Sequence, residues 1–571
     1  MPISMRSSLL ILSLALGLPA CVTTEGGSSP ASQQGPTLVG ESGSGQYLAA
    51  RHATRRHDTK EAASAYDLAL AKDPDNSELL SRAGVLMMAE GRTARAEALA
   101  ERLLSLDPEA GSAVYILTVR DAKKGDYAKA ALRLSTQPRR GLNSFVVPLL
   151  EAWSLFGDKR TDKALEALTP LKESSALAPL YGFHAGLIND LAGRQDQAAR
   201  LYESTLASPA GLTLRAVRVI GAFHLARGDK DKAQALFDRY RADNPDTAML
   251  DPDAEAEAIR NGGKPIATAA QGMAEAFFGA AASLKQAGAA DTALMLCRLA
   301  QELQPDFPLL KVLIAGILED MGRLDDANAV YADIPKSEPI AWSVNIRRAE
   351  NLNRLKKVDE AVALLEALSS ERPKRFDALI SLGDVQRQAK KFDQAADAYS
   401  RAMHRIGPPE KRHWAILYSR GIAYERAKQW PKAEADFKQA LVLEPEQPYV
   451  LNYLGYSWVE QGINLTQARK MIERAVDLRP TDGYIADSLG WVLYRMNDLK
   501  GAVRFMERAI ELQPEDPVIN DHLGDVYWAV GRRNEARFQW RKTLVFDPEP
   551  EVAETARAKI EHGLNGRNGK K

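Results

Sequence analysis

Hydrophobic residues recur three or four positions apart along most of this 571-residue chain, which is the spacing of an amphipathic α-helix. Alternating β-branched runs and Asn-Gly hairpin turns, the usual signals of strands, are rare. Short turn sequences such as Glu90-Gly91-Arg92 and Val530-Gly531-Arg532 separate the helical stretches. The pattern predicts an all-α protein made of short helices, none of which buries its apolar stripe alone.

A single alanine marks a regular repeat through the chain. Its step is 34 residues nearly everywhere, and the departures are one extra residue in two steps, four in another, and one step of 60. Fourteen alanines in one register indicate a repeat protein, in which each unit packs on its neighbours. These alanines are Ala62, Ala96, Ala130, Ala164, Ala198, Ala233, Ala293, Ala327, Ala361, Ala395, Ala433, Ala468, Ala502 and Ala536.

Three other positions follow the same period. A small residue, often glycine, recurs on the first helix, and a bulky residue often stands four positions after the alanine on the second helix. Proline follows the second helix, which it cannot continue. Examples are Gly383, Gly421, Gly455, Gly490 and Gly524, then Tyr66, Tyr202, Phe237, Tyr331, Tyr399, Phe437 and Trp540, and finally Pro445, Pro480, Pro514 and Pro548.

This combination resembles the tetratricopeptide repeat (TPR) family over roughly residues 43–550. The resemblance implies an α-solenoid of about fourteen helix-turn-helix repeats that form a superhelix. The units phased on Ala130, Ala164 and Ala198 lack the final proline and are the least regular. The step of 60 leaves an insertion at 246–270, which we interpret as a linker with one short acidic helix at Ala254–Arg260, between an N-terminal array (46–245) and a C-terminal array (271–550). Residues 551–571 are predicted to form a capping helix and a basic tail.

The N-terminus has the features of an export signal. A short apolar run from Leu9 to Leu16 leads into Leu18-Pro19-Ala20-Cys21, which resembles the lipobox of bacterial lipoproteins. The resemblance implies a signal peptide at 1–20, acylation of Cys21, and an outer-membrane destination facing the periplasm, since Val22 is not the aspartate that retains lipoproteins in the inner membrane. A plain secretory signal with an incidental cysteine is the alternative. Residues 21–45 are rich in Gly, Ser and Thr and predict a tether with a reach of roughly 25–30 Å.

Composition and motifs exclude several classes of protein. Lysine plus arginine equals aspartate plus glutamate at 75 each, which argues against a nucleic-acid binder. With Cys21 and Cys297 as the sole cysteines, a disulfide framework and a cysteine-rich metal site are excluded, and Cys297 is interpreted as a small buried hydrophobe. No phosphate-binding loop, His-Glu-x-x-His or Gly-x-Ser-x-Gly motif occurs, so we predict no catalytic residue, cofactor or metal.

A concave surface remains as the candidate site. In the TPR family, positions −6, −3, +1 and +4 from the small residue of the first helix point inward. This resemblance places aromatic and acidic side chains in a groove of the C-terminal repeats, beginning with Tyr418 and Glu425, while Trp458, Tyr527 and Trp540 fall at core positions. Such a surface can hold a protein segment, although the aromatic rings can equally be packing. The candidates are Tyr449, Asn452, Tyr456, Tyr484, Asp487, Trp491, Tyr494, Asp521, Asp525 and Trp528.

Lipobox, tether and repeat array together resemble the large TPR lipoproteins of Gram-negative bacteria. Some of those are adaptors for periplasmic carboxyl-terminal processing proteases, and the stretch from Ser488 to Tyr494 contributes to this likeness. The resemblance implies a membrane-anchored scaffold that binds proteins or peptides. Alternatives are a component of exopolysaccharide or outer-membrane assembly machinery and, from another class, a peptidoglycan-acting enzyme. The sequence leaves the partner and the oligomeric state open.

Overall fold

A computed structural model of the chain describes residues 42–244 and 265–564. The predicted signal peptide at 1–20, the acylated Cys21, most of the tether and the acidic helix at Ala254–Arg260 lie outside the described residues, as do most of the predicted linker and the basic tail. The first helix begins at Gly43, inside the predicted tether, because the Ser42 side chain accepts the Gly45 N–H and caps it.

The prediction of an all-α solenoid is confirmed: the described residues contain helices and no strand. Within residues 42–244 and 265–564, successive helices pair into fourteen repeats, each with a first and a second helix. Repeats 1–6 are Gly43–Arg55 with Thr59–Leu70, Ser77–Ala89 with Thr93–Leu106, Gly111–Lys123 with Tyr127–Ser135, Asn143–Gly157 with Thr161–Ala167, Ala178–Leu191 with Gln195–Leu206, and Leu214–Ala226 with Lys230–Asp243.

Repeats 7–14 follow the step of 60 residues. They are Ala269–Gln286 with Ala290–Leu303, Pro308–Asp320 with Leu324–Ala332, Ala341–Arg354 with Val358–Glu371, Asp377–Gln388 with Phe392–Ile406, Trp414–Arg426 with Trp430–Leu443, Pro448–Glu460 with Leu465–Leu478, Gly483–Arg495 with Leu499–Leu512, and Pro517–Ala529 with Arg533–Val545. A last helix, Pro550–His562, covers repeat 14 at the place where a further first helix would lie.

Each turn between the two helices of a repeat contains a residue with positive φ. Glycine takes this conformation without strain, whereas other residues adopt it at a cost, so the turn reverses the chain within a few residues. Repeat 12 has one residue more in this turn, and Asn464 there is also left-handed, which accounts for the extra residue before Ala468. The turn residues are His57, Gly91, Gly125, Lys159, Gly193, Gly228, Gly288, Gly322, Lys356, Lys390, Lys428, Gly462, Asn497 and Gly531.

The glycine of the first helix makes room for the bulky side chain of the second helix. A Cβ added to Gly383 would lie 2.6 Å from a ring carbon of Tyr399, and one added to Gly421 would lie 2.6 Å from Phe437. Both rings are fully buried. In repeats 10 and 11 the glycine is therefore required by an aromatic ring of the second helix. Gly455 and Gly490 make room in the same way for the side chains of Ile472 and Met506.

Repeats 3–5 are helix pairs like the others, with local irregularities. The second helix of repeat 3 has nine residues. In repeat 4 the second helix breaks at Leu168, and a short helix continues at Thr169–Lys172. Pro170 lacks the N–H that would continue the first segment, which explains the break.

The hydrophobic core continues past the predicted linker. One cluster of buried side chains extends from Ala50 to Val344, because repeat 7 packs against the first helices of repeats 2, 3 and 4 as well as against repeat 8. Farther on, smaller clusters follow one another from repeat to repeat. Within the described residues, no helix combines the length and apolar character needed to cross a membrane.

Candidate functional site

The first helices of neighbouring repeats touch one another and form the concave wall of the solenoid. In repeats 2–4 this wall is covered by the chain itself. The first helix of repeat 7 lies across it: Phe277 makes an edge-to-face contact with Tyr115 at 6.0 Å, and Gly272 lies directly against the Trp153 ring. Because Phe277 and Trp153 are completely buried, this part of the concave surface is not open to a partner.

Polar contacts hold repeat 7 in that position. Arg215 of repeat 6 binds Glu275 at 2.8 Å; Glu275 is buried and Arg215 is mostly buried. Thr93 donates a hydrogen bond of 2.8 Å to Glu302, and Arg298 donates one of 3.2 Å to the Ala89 carbonyl. Separating a buried ion pair leaves an uncompensated charge, which disfavours any register in which the two partners do not meet. The contacts therefore fix repeat 7 in one register within the N-terminal groove.

Repeat 8 also contacts the N-terminal repeats, on the side where the turns between first and second helices lie. Arg323 follows the left-handed Gly322 and reaches back to the turns of repeats 1 and 2, where it donates 2.6 Å hydrogen bonds to Glu90 and Thr59. Glu90 is largely buried there. Repeats 1–8 consequently form one closed body, which we call the N-terminal body.

The C-terminal repeats present aromatic rings on their concave wall. Tyr484 is 46% exposed, and Tyr449, Tyr456, Trp491 and Tyr494 are partly exposed. We call these five residues the aromatic strip. Trp491 and Tyr494 have ring centroids 5.2 Å apart, and the ring of Trp491 stacks on His522 at 4.1 Å. Partly buried rings supply contact area at a low entropic cost, which suits a surface that binds protein segments.

The predicted acidic residues lie beside the strip, but each is already bound within the chain. Asp487 accepts from His522 of the next repeat at 3.0 Å. Asp521 and Asp525 both bind Lys559 of the last helix, at 2.6 and 2.8 Å. All of these carboxylates are buried. They therefore join one repeat to the next and leave little charge for a partner.

The same arrangement recurs along the wall. Glu425 accepts from the Tyr453 hydroxyl at 3.1 Å, and Glu460 accepts from the Trp491 indole N–H at 2.6 Å. In each case the donor comes from the first helix of the following repeat. The sequence contained this signal, because the donor follows its acid by about one repeat, but the prediction considered the acids without their donors.

His522 carries a positive charge at neutral pH. Burial alone would lower the pKa of this histidine, but the Asp487 carboxylate outweighs it and raises the pKa to about 9. By contrast, burial lowers the pKa of His184 in repeat 5 to about 3, and its Nδ1 accepts a 3.0 Å hydrogen bond from Trp153. Burial also raises the pKa of the Cys297 thiol, which leaves it unreactive. His522, His184 and Cys297 are therefore buried groups that contribute to packing between helices.

Two predicted residues differ in their surroundings. Trp528 lies between the Arg533 guanidinium, 3.9 Å from its centroid, and Gly563 at the end of the last helix, so the chain covers much of it. The Asn452 side-chain oxygen is buried and finds no hydrogen-bond donor among the described residues. Because that oxygen is buried, it lies out of reach of a segment bound on the surface. No group of three histidine, cysteine, aspartate or glutamate residues in the described ranges is arranged to hold a metal ion.

Comparison with known families identifies four segments of the chain. Models of the tetratricopeptide repeat match residues 53–120, 346–411, 414–447 and 487–516. Among curated proteins, the chain resembles the TPR repeat-containing protein PA4667 of Pseudomonas aeruginosa, with 29% identity over 195 residues. That alignment spans 33% of this chain and 32% of the relative, so the chain matches about a third of the relative's length.

Several solved structures match the chain at low sequence identity. Yeast Tom70 matches 91% of this chain and 95% of its own at 14% identity and a TM-score of 0.35. A chain in the crystal structure of the APC/C hetero-tetramer Cut9–Hcn1 matches 91% of this chain and 96% of its own length, at 16% identity and a TM-score of 0.37. YrrB, described as a TPR protein with an unusual peptide-binding site, matches 34% of this chain and 97% of its own length. The identity is 18% and the TM-score is 0.27.

Proposed function

We propose that this chain, which belongs to the tetratricopeptide-repeat proteins, is a scaffold that binds other proteins through the aromatic strip of its C-terminal repeats. The observation that carries the proposal is the contrast between the two concave walls. The wall of repeats 2–4 is filled by repeat 7, whereas Tyr484 and its neighbours in repeats 12 and 13 remain accessible.

The surroundings of the strip define the chemistry of the partner. Because Asp487, Asp521 and Asp525 are paired within the chain, the surface offers aromatic rings more than free negative charge. Such a surface favours a segment with apolar or arginine side chains that rest on the rings.

We further propose that the chain is anchored to a membrane and that it acts as an adaptor. The sequence at Leu18–Cys21 supports acylation of Cys21 and attachment to an envelope membrane. The resemblance to large TPR lipoproteins supports an adaptor role, in which a periplasmic processing protease and its substrates are the partners. Labelling with a clickable fatty acid should mark the wild-type chain and leave Cys21→Ala unlabelled. Label on both chains contradicts the anchor.

The binding site can be tested by site-specific photocrosslinking in envelopes. A photoreactive amino acid at Tyr484 should capture a defined protein, while the same probe at Leu132, which is exposed on a second helix of the N-terminal body, should not. Capture that is equal at both positions, or absent at Tyr484, contradicts the proposal. A captured processing protease supports the adaptor role, and a captured assembly component replaces it.

The contribution of the rings can be measured on the partner so identified. Tyr449→Ala, Tyr456→Ala and Tyr484→Ala together should weaken binding by about 100-fold, because each ring contributes on the order of 1 kcal/mol or more. The matched control changes three exposed apolar residues of second helices to alanine, namely Leu68, Leu132 and Val442. Equal loss in both triple variants argues against a specific site.

A further inference from the structure

The second helices of repeats 12–14 carry a regular array of positive charge on their exposed side. The array occupies the positions two and six residues after the repeated alanine. Residues four apart lie on the same face of a helix, so the two positions form one stripe per repeat. In these three repeats the positions hold Lys470 and Arg474, Arg504 and Arg508, and Phe538 and Lys542.

This pattern is specific to the end of the solenoid. In repeats 1–11, twenty-two such positions exist by the same count, and cations occur at Arg102, Arg200, Arg239 and Arg401. Neutral residues, such as Ala363 with Ala367 and Ala435 with Gln439, hold most of the others. The charge array thus does not follow from the repeat pattern itself, since the fold forms equally well without it.

The side chains of the array face solvent with little compensation. Lys470 and Arg504 are exposed and make no ion pair with any described residue, and neither does the nearby Arg541. Arg474 binds Glu446 and Arg508 binds Glu511, but all four side chains are about half exposed. Exposed pairs of this kind are weak and exchange readily for another anion.

Two apolar side chains stand among these cations. Phe538 is 59% exposed and Val545 is 75% exposed, and both lie on the outer face of the last second helix with Arg541 between them. A helix face that combines cations with exposed apolar residues is typical of proteins that lie on a membrane interface. Cations about 6 Å apart along each helix and about 10 Å apart between helices form a surface too broad for one small anion.

We propose that the outer face of repeats 12–14 docks on an anionic phospholipid surface, with the cations on headgroups and with Phe538 and Val545 at the headgroup boundary. The face lies on the side opposite the aromatic strip, so the docked solenoid keeps its concave wall free for a protein. The docking site consists of residues of this chain alone and is independent of the proposed acylation of Cys21 and of the strip.

Vesicle sedimentation of the full chain tests this inference. The chain carries Cys21→Ser so that no acyl group contributes, and the vesicles contain phosphatidylcholine with or without phosphatidylglycerol. We expect binding that requires phosphatidylglycerol and falls with added salt. The variant K470E/R504E/R541E should bind at least ~100-fold more weakly, since each basic residue near an anionic surface contributes about fivefold.

A matched charge reversal separates the face from net charge. Lys60, Lys163 and Arg200 are exposed cations of N-terminal second helices, and K60E/K163E/R200E changes the total charge equally. This control should bind like the parent chain. Phe538→Ser with Val545→Ser should weaken binding about tenfold or more while its salt dependence stays. Absence of phosphatidylglycerol-dependent binding, or equal loss in both charge-reversed chains at unchanged melting temperature, overturns the inference.

Discussion

The N-terminal body and the C-terminal repeats are built from the same unit but pack in different ways. In repeats 1–8 the solenoid closes around its own seventh repeat, so that Phe277, Trp153 and Tyr115 belong to one core although they are far apart in sequence. In repeats 10–14 each helix contacts mainly its neighbours along the chain. The comparison teaches that curvature, not the repeat unit, decides whether a concave wall becomes core or remains a binding surface.

The largest difference is expected for the removal of a buried tryptophan. Trp153→Ala deletes a ring that is packed between repeats 4, 5 and 7 and should cost about 3–5 kcal/mol of unfolding free energy. Because repeat 7 connects the N-terminal body, protection from hydrogen exchange should fall together across repeats 2–7. Repeats 11–14 should retain theirs.

Trp540→Ala is the matched change in the C-terminal repeats. The ring is equally buried, lies against Gly524 and donates to Asp525. A cavity of similar size should form, yet the loss of protection should stay within repeats 13 and 14 and the last helix. If Trp540→Ala also lowers protection in the N-terminal body, or if Trp153→Ala affects repeat 4 alone, the distinction between the two regions is wrong.

The two regions should respond to pH in opposite directions. The folded pKa of His522, about 9, lies above the ordinary value of 6.5, so its contribution of at most about 3 kcal/mol is complete below pH 6.5 and is lost as pH rises toward 9. The folded pKa of His184, about 3, lies below it, so the N-terminal body loses stability as pH falls below 6.5. Urea denaturation at several pH values, with proteolytic fragments assigned by mass spectrometry, separates the regions.

Single substitutions isolate each histidine from the other titrating groups. His522→Gln should remove the alkaline weakening of repeats 13 and 14, and His184→Gln should remove part of the acid weakening of the N-terminal body. Each substitution should leave the other region's pH profile unchanged. A profile that is identical in the variant and the parent chain would mean that another group sets the pH dependence there.

The sequence predicts the contacts inside each repeat, but it does not predict that repeat 7 packs against repeats 2–4. Gly383 with Tyr399, sixteen residues apart, expresses a contact inside one repeat, so a 34-residue period suffices to predict it. Gly272 against Trp153 is a contact across 119 residues, and it depends on curvature that small rotations between repeats accumulate. A local signal did exist, since the first helix of repeat 7 has 18 residues and is rich in alanine, as a helix packed on all sides requires.

In the candidate site, too, some properties depend on one repeat and others depend on contacts with the next repeat. The place of Tyr484 and Trp491 in the repeat predicts that they lie on the concave wall, and the structure shows both on the first helix of repeat 13 with partly exposed side chains. The state of Asp487 depends on His522, which comes one residue more than a repeat later. Register within one unit therefore indicates which way a side chain points, while its charge and its availability depend on the next unit.

A pair of equivalent arginines tests the closure at the turn edge. Arg323 in repeat 8 and Arg532 in repeat 14 both follow a left-handed turn glycine. Arg323→Ala leaves the mostly buried Glu90 unpaired and should cost about 1–2 kcal/mol. Arg532→Ala removes a pair with Glu507 in which both side chains are more than 40% exposed, and a guanidinium that lies 3.9 Å from the Tyr527 ring centroid. The cost should be no more than about 1 kcal/mol. Urea denaturation measures both, and equal costs would contradict a closed N-terminal body.

The smallest effect is expected where the C-terminal repeats come nearest to closing. Lys390 in the turn of repeat 10 lies 3.0 Å from Glu549, just before the last helix, and both side chains are about 70% exposed. An exposed pair of this kind contributes about 0–0.5 kcal/mol and is screened by salt. Lys390→Ala should therefore leave the urea midpoint of repeats 10–14 within error, at low and at high salt. A loss of 1 kcal/mol or more would show that this end of the solenoid closes as the N-terminal body does, and that access to the aromatic strip depends on the opening of that contact.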